Sequence, residues 1–107
     1  MHRDSVLRVL SAHWKQIAED YGVRRLAVFG SVARGDATSG SDVDILVEFL
    51  RPPGFDRYMQ LKFYLEALLR CRVDLVMDSA LKPWARQTVL QEAIYVPELE
   101  TVSSGHH

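Results

Sequence analysis

GSVARGDATSGSDVDILV, residues 30 to 47, decides how the chain is read. An apolar run, Leu26-Ala27-Val28-Phe29, leads into Gly30-Ser31. A small polar loop follows, and Asp42 and Asp44 stand two residues apart at the head of a second apolar run. Side chains at i and i+2 on a strand share a side. Two carboxylates held that close repel, and a fold keeps such a pair when something positive sits between them. A divalent metal is one candidate; the alternative is that Asp42 caps the loop while Asp44 meets an arginine.

Upstream, residues 4–21 carry Val6, Leu7, Leu10, Trp14, Ile17, Ala18 and Tyr21 at three- and four-residue steps, which predicts one amphipathic helix. Asp4 or Ser5 suits its start, and Gly22 its left-handed C-terminal cap. Residues 24–29 read as a strand buried on both faces. Val32-Ala33-Arg34 fits a helical turn, and residues 35–41 are turn chemistry. Residues 43–49 form the next strand, with Val43, Ile45 and Val47 on one side and Asp42, Asp44, Leu46 and Glu48 on the other. So short a connection makes the two strands antiparallel neighbours.

Downstream, Arg51-Pro52-Pro53-Gly54 is a stop and a turn. Residues 55–70 predict a second helix, with Tyr58, Leu61, Tyr64, Leu65 and Leu68 on one face. Residues 72–77 predict a third strand, carrying Asp74 between Val73 and Leu75. Pro83 opens a last helix to about residue 93, and Ile94-Tyr95-Val96 adds a short edge strand before Pro97. The expected fold is α+β in two layers. A mixed or antiparallel sheet of three to four strands is covered by helices, in the order αββαβα(β).

With 107 residues, one domain over residues 1–102 is expected, and the tail 103–107, SSGHH, has the look of an expression tag. Composition is ordinary for a globular domain, 48% hydrophobic and 25% charged. A net charge of −1 without a basic block argues against direct nucleic-acid binding. Cys71 is the only cysteine, so no internal disulfide forms and a reducing cytoplasm fits. No apolar run reaches the ~18 residues of a membrane span. The N-terminus is too polar and too periodic for a signal peptide.

Chemistry is expected at a few positions. Gly30 lets the backbone approach a ligand closely, and free N–H groups there with the Ser31 hydroxyl suit phosphate oxygens; a plain tight turn is the other reading. Carboxylates such as Asp42 and Asp44 are hard oxygen ligands suited to magnesium, which completes its shell with waters and substrate phosphates. If the third strand lies beside the second, Asp74 converges on them, and three carboxylates make a clamp for phosphoryl chemistry. Otherwise Asp74 pairs with Arg72 or Arg70. Arg34 is either a fork for a triphosphate or a solvated surface residue. Glu48, on the aspartate side, is a candidate for the site rim. Cys71 is expected as a small buried residue, His2 and His13 as surface or packing residues, and Trp14 and Trp84 as core or partner contacts.

Taken together, Gly30-Ser31, ten residues, Asp42-Val43-Asp44, and an apolar strand with Asp74 some thirty residues on resemble the nucleotidyltransferase superfamily of the polymerase beta type. The form GSVARGD with SDVDILV looks like its minimal nucleotidyltransferase (MNT) branch. The resemblance covers roughly residues 5–96. It implies that Gly30 and Ser31 hold the nucleotide triphosphate, joined by Arg34. It implies that Asp42 and Asp44 bind Mg2+, and that Asp74 completes the metal site and helps activate the acceptor hydroxyl. The implied reaction moves AMP from ATP to a hydroxyl and releases pyrophosphate.

Proteins of this kind are often antitoxins paired with a HEPN-domain ribonuclease toxin, some adding AMP to a toxin tyrosine. A hetero-oligomer with such a toxin is therefore expected, and a homodimer is compatible with the sequence. Size points the same way: the chain has no room for its own acceptor-binding domain, so a partner must bring the hydroxyl. Two other readings stand beside this one. One is a non-catalytic antitoxin that acts by covering its toxin; the other is a small-molecule, antibiotic-type nucleotidyltransferase.

Overall fold

The computed structural model describes residues 2–38, 40 and 42–96. The loop serines Ser39 and Ser41, Pro97, the expected domain end at 102 and the tag-like tail 103–107 lie outside the described residues. The elements run α1 (Arg3–Ala12), α2 (Trp14–Tyr21), β1 (Val23–Phe29), α3 (Gly30–Arg34), β2 (Val43–Phe49), α4 (Phe55–Leu69), β3 (Val73–Met77), a 3-10 turn (Asp78–Ala80), α5 (Pro83–Glu92) and β4 (Ile94–Val96). They form the mixed α+β architecture that the periodicities predict.

The four strands lie in the order β3-β2-β1-β4. β1 is antiparallel to both β2 and β4, and β3 is parallel to β2. A parallel pair needs a long crossover, and the helix between the two runs, α4, supplies it. Register makes one face of the sheet apolar. Leu26 and Val28 lie opposite Val47 and Ile45; Val43, Ile45 and Val47 lie opposite Val73, Leu75 and Met77.

Helix residues Val6, Leu7, Leu10, Ile17, Leu61, Leu65 and Leu69 close over that face in a single buried cluster. Each fully buried leucine contributes about 1.5–3 kcal/mol of transfer free energy. The second face carries the alternate residues, including Asp44 and Asp74. The alternation of the strands thus gives the helices an apolar face to pack on and leaves the aspartates on the other.

Three expectations change. The single helix over 4–21 is two helices: His13, at φ −110 and ψ 12, separates α1 from α2. Its ring Nδ1 lies 2.9 Å from the Val9 carbonyl oxygen. Apolar periodicity runs on across such a break, so the pattern does not register it. Helix α1 starts at Arg3 behind His2, so Asp4 and Ser5 lie inside it rather than capping it. Of the two tryptophans expected as core or partner contacts, Trp14 packs on the core and Trp84 is 82% exposed. Helix α4 stops one residue short of the expected end, at Leu69, because Arg70 adopts φ 58. Gly22, at φ 66, is the left-handed cap that was expected of it. No described helix is long and apolar enough to cross a membrane.

Candidate active site

The site forms where β1 ends and β2 begins. Antiparallel register sets Phe29 opposite Asp44, so the residue after Phe29 comes up against the Asp44 side chain. That residue is Gly30, at φ 73, and a Cβ there would stand 2.1 Å from Asp44 Oδ2. Both the left-handed backbone and the missing volume require glycine. Across the other edge of β2, parallel register sets Asp44 directly beside Asp74. Strand alternation keeps Asp42 on the same side, exposed just ahead of β2.

This crowding has an electrostatic consequence. The Asp44 carboxyl is pushed up to about 6, first by burial, then by the charges of Asp74 and Asp42 and by a hydrogen bond with Asp74; the Arg34 charge opposes the rise. A proton on Asp44 therefore relieves a repulsion that a cation would relieve better. Hard oxygen donors of this kind fit magnesium. Among the described residues no three acid, histidine or cysteine side chains are grouped so as to hold a metal ion. The arrangement is instead a close pair, Asp44 and Asp74, with Asp42 at its edge. Such an open set suits an ion that keeps waters and takes substrate oxygens.

Opposite the carboxylates stand the donors. Gly30–Arg34 is one tight helical turn, closed by Gly35 at φ 84, with the Ser31 carbonyl accepting from the Gly35 and Asp36 N–H groups at 3.0 Å each. Ser31 is the second residue of that turn, so its own N–H has no acceptor within it. The Arg34 guanidinium donates through Nε to Asp36 Oδ2 at 3.3 Å and through Nη1 to Glu92 Oε2 at 3.0 Å. Glu92 Oε1 also accepts from the Gly30 N–H at 3.2 Å. Arg34 is thus neither a free surface residue nor an unheld fork, and its charge is felt at Asp44.

Sequence reasoning brought Gly30, Ser31, Arg34, Asp42, Asp44 and Asp74 to one end of the sheet. It misplaced Glu48, which lies four residues along β2 and pairs with Arg25 at 2.9 Å and Arg24 at 3.9 Å. At about 3.3 Å per residue that is more than 10 Å from Asp44. Asp74 makes no ion pair with Arg72 or Arg70 among the described residues; Asp44 is its neighbour. Cys71 is half-buried, and burial raises its thiol above the usual value.

Glu92 was missed. The signal lay in register: β4 sets Ile94 opposite Val28, so two residues earlier Glu92 falls beside Gly30. A cleft of about 400 Å3 lined by Tyr21, Phe49, Arg51 and Arg57 lies at the opposite end of the strands and contains none of these groups.

The nucleotidyltransferase domain family matches residues 10–96. Protein adenylyltransferase MntA of Thermococcus cleftensis is 50% identical over 93 residues, covering 87% of this chain and 94% of that protein. A solved structure assigned as a minimal nucleotidyltransferase superposes with a TM-score of 0.75 at 40% identity, covering 88% of this chain and 95% of that one. The fold also recurs, with a TM-score of 0.61 at 19% identity, in a structure of tri-AMPylated Shewanella oneidensis HEPN toxin in complex with MNT antitoxin. That match covers 83% of this chain and 70% of the other.

Proposed function

The chain belongs to the nucleotidyltransferase domain family, and from that premise we propose that it is a magnesium-dependent protein adenylyltransferase acting as the antitoxin of a HEPN toxin. The observation that carries this reading is the register that stacks Gly30, Asp44 and Asp74 side by side. That arrangement supports reading the Gly30–Arg34 turn as the phosphate side of one site and the aspartates as its metal side. The adenylyltransferase relative from Thermococcus cleftensis supports the reaction, and the Shewanella oneidensis antitoxin complex of the same fold supports the partner.

In this reading the Ser31 N–H and hydroxyl, with Arg34, bind the ATP phosphates, and Gly30 lets them approach the backbone. Asp42, Asp44 and Asp74 would hold Mg2+, which would neutralise phosphate charge there. Asp74, at the outer side of the pair, accepts the proton from the acceptor hydroxyl, most simply a tyrosine of the toxin. That oxygen forms a bond to the α-phosphorus as the bond to the β-phosphate oxygen breaks, and pyrophosphate leaves. Positioning and charge neutralisation supply most of the rate.

In this reading the acceptor hydroxyl is brought by the HEPN partner, and the part of the chain that matches the nucleotidyltransferase family, residues 10–96, supplies the nucleotide site. A hetero-oligomer in a reducing cytoplasm suits a chain whose only cysteine is unpaired.

The test is transfer of label from α-labelled ATP to a purified HEPN toxin from the same source, with and without magnesium. Label on a toxin tyrosine, lost in Asp44→Asn, supports the proposal. Toxin neutralisation that survives Asp42→Asn/Asp44→Asn would favour an antitoxin that acts by binding alone. Turnover with small hydroxyl acceptors and no partner would favour a small-molecule enzyme.

A further inference from the structure

Helix α5 lies against α3 and β1, and its last residue, Glu92, reaches into the turn that carries the phosphate donors. We propose that Glu92 is a positioning residue that locks Gly30 and Arg34 into the geometry for holding a nucleotide's phosphates. The inference rests on reading Ser31 and Arg34 as phosphate-binding, and it assigns the element that presets them.

Both carboxylate oxygens of Glu92 are engaged by different parts of the turn: Oε1 by the Gly30 N–H at 3.2 Å, Oε2 by Arg34 Nη1 at 3.0 Å. One side chain, 62 residues away in sequence from Gly30, thereby spans the turn from its first residue to its last. The Gly30 N–H lies in a buried setting and needs an acceptor; Glu92 supplies it.

Without Glu92, Arg34 would keep only its contact with Asp36 and more of its rotamer freedom, and ordering it on ligand binding would weaken that binding. Glu92 and Asp36 together fix the guanidinium through two of its five N–H donors. The remaining donors are left for phosphate oxygens, close enough to the carboxylates for the charge of Arg34 to act on Asp44. A carboxylate beside a phosphate site would repel the ligand if it stood alone. Held against a guanidinium and a buried N–H, its charge is largely compensated.

The test compares wild-type full-length chain with Glu92→Ala and Glu92→Gln. In the nucleotide-free protein, NMR should show the Gly30 amide and the Arg34 Nε–H signals shifted in Glu92→Ala, with faster exchange of the Gly30 amide. Titration with ATP at fixed magnesium should then give a Kd roughly tenfold weaker for Glu92→Ala, the equivalent of about 1.4 kcal/mol. Glu92→Gln, which keeps an acceptor oxygen and the same size, should recover part of that loss, and it carries the comparison if the alanine variant does not fold.

An unchanged Kd in Glu92→Ala would overturn the role. So would tighter binding, which would make Glu92 a stand-in that phosphate displaces. Wild-type protein that takes up no ATP, with Gly30 and Arg34 still tied to Glu92, would instead sink the nucleotidyltransferase reading and this role with it.

Discussion

The Asp44 carboxylate occupies the space where Gly30 lacks a side chain: a Cβ on Gly30 would lie 2.1 Å from Asp44 Oδ2. Gly30→Ala must therefore displace Asp44 or the turn, and must also hold alanine at φ 73. Left-handed backbone and overpacking together should cost about 2–5 kcal/mol. Gly35 shares the left-handed backbone, at φ 84, but a Cβ there meets nothing within 4 Å. Gly35→Ala should cost only about 1–2 kcal/mol. Urea denaturation of the two variants measures the difference, and only Gly30→Ala should also abolish nucleotide transfer.

Asp44 titrates near 6 in the folded protein against an ordinary value of 3.8. Between those values the folded state keeps a proton that the unfolded state has given up. The stabilisation this provides is complete below about pH 3.8 and is lost as pH rises through 6. Asp44→Asn removes the charge that is unfavourable at high pH. In chelator-treated protein it should therefore raise the melting temperature at pH 8 and give little or no gain at pH 4. Calorimetry at the two pH values checks the sign.

Asp74 is exposed and stands at the outer side of the carboxylate pair. If it takes the acceptor proton, as proposed, it should matter far more to transfer than to ATP binding. Asp74→Asn should lower the transfer rate by roughly 10²–10⁴-fold while ATP affinity changes much less. Equal losses in both would mean that Asp74 serves only to hold the metal and nucleotide.

Tyr58 on α4 donates its hydroxyl to the Leu75 carbonyl oxygen of β3, one residue beyond Asp74. Tyr58→Phe keeps the ring and orphans that carbonyl. The expected loss is about 1 kcal/mol, read by denaturant unfolding. Transfer activity should persist, because β3 remains fixed by its pairing with β2.

Most of the strands and helices were legible because their signals are local. Val43, Ile45 and Val47 alternate with Asp44 and Leu46, and a connection over residues 30–42 made mostly of turn chemistry, with no room for a full crossover helix, favours an antiparallel pair. The break at His13 was not legible, since the apolar stripe continues through it. Glu48 was misread for a related reason. Alternation fixes which side a residue faces but not how far along the strand its partners lie, and Arg25 stands opposite it.

The sequence by itself determined most of the elements, the side of the strand on which the aspartates stand, and the glycine that a close approach requires. These follow from periods of two and 3.6 and from the conformational demands of single residues. Only the tertiary structure decided that Asp44 and Asp74 share a register, that Asp44 is thereby pushed up to about 6, and that Glu92 ties Gly30 to Arg34. Those relationships join residues 30 to 62 positions apart. Contacts at that range depend on how the strands pair and how α5 returns to the sheet, and one-dimensional patterning does not carry that information.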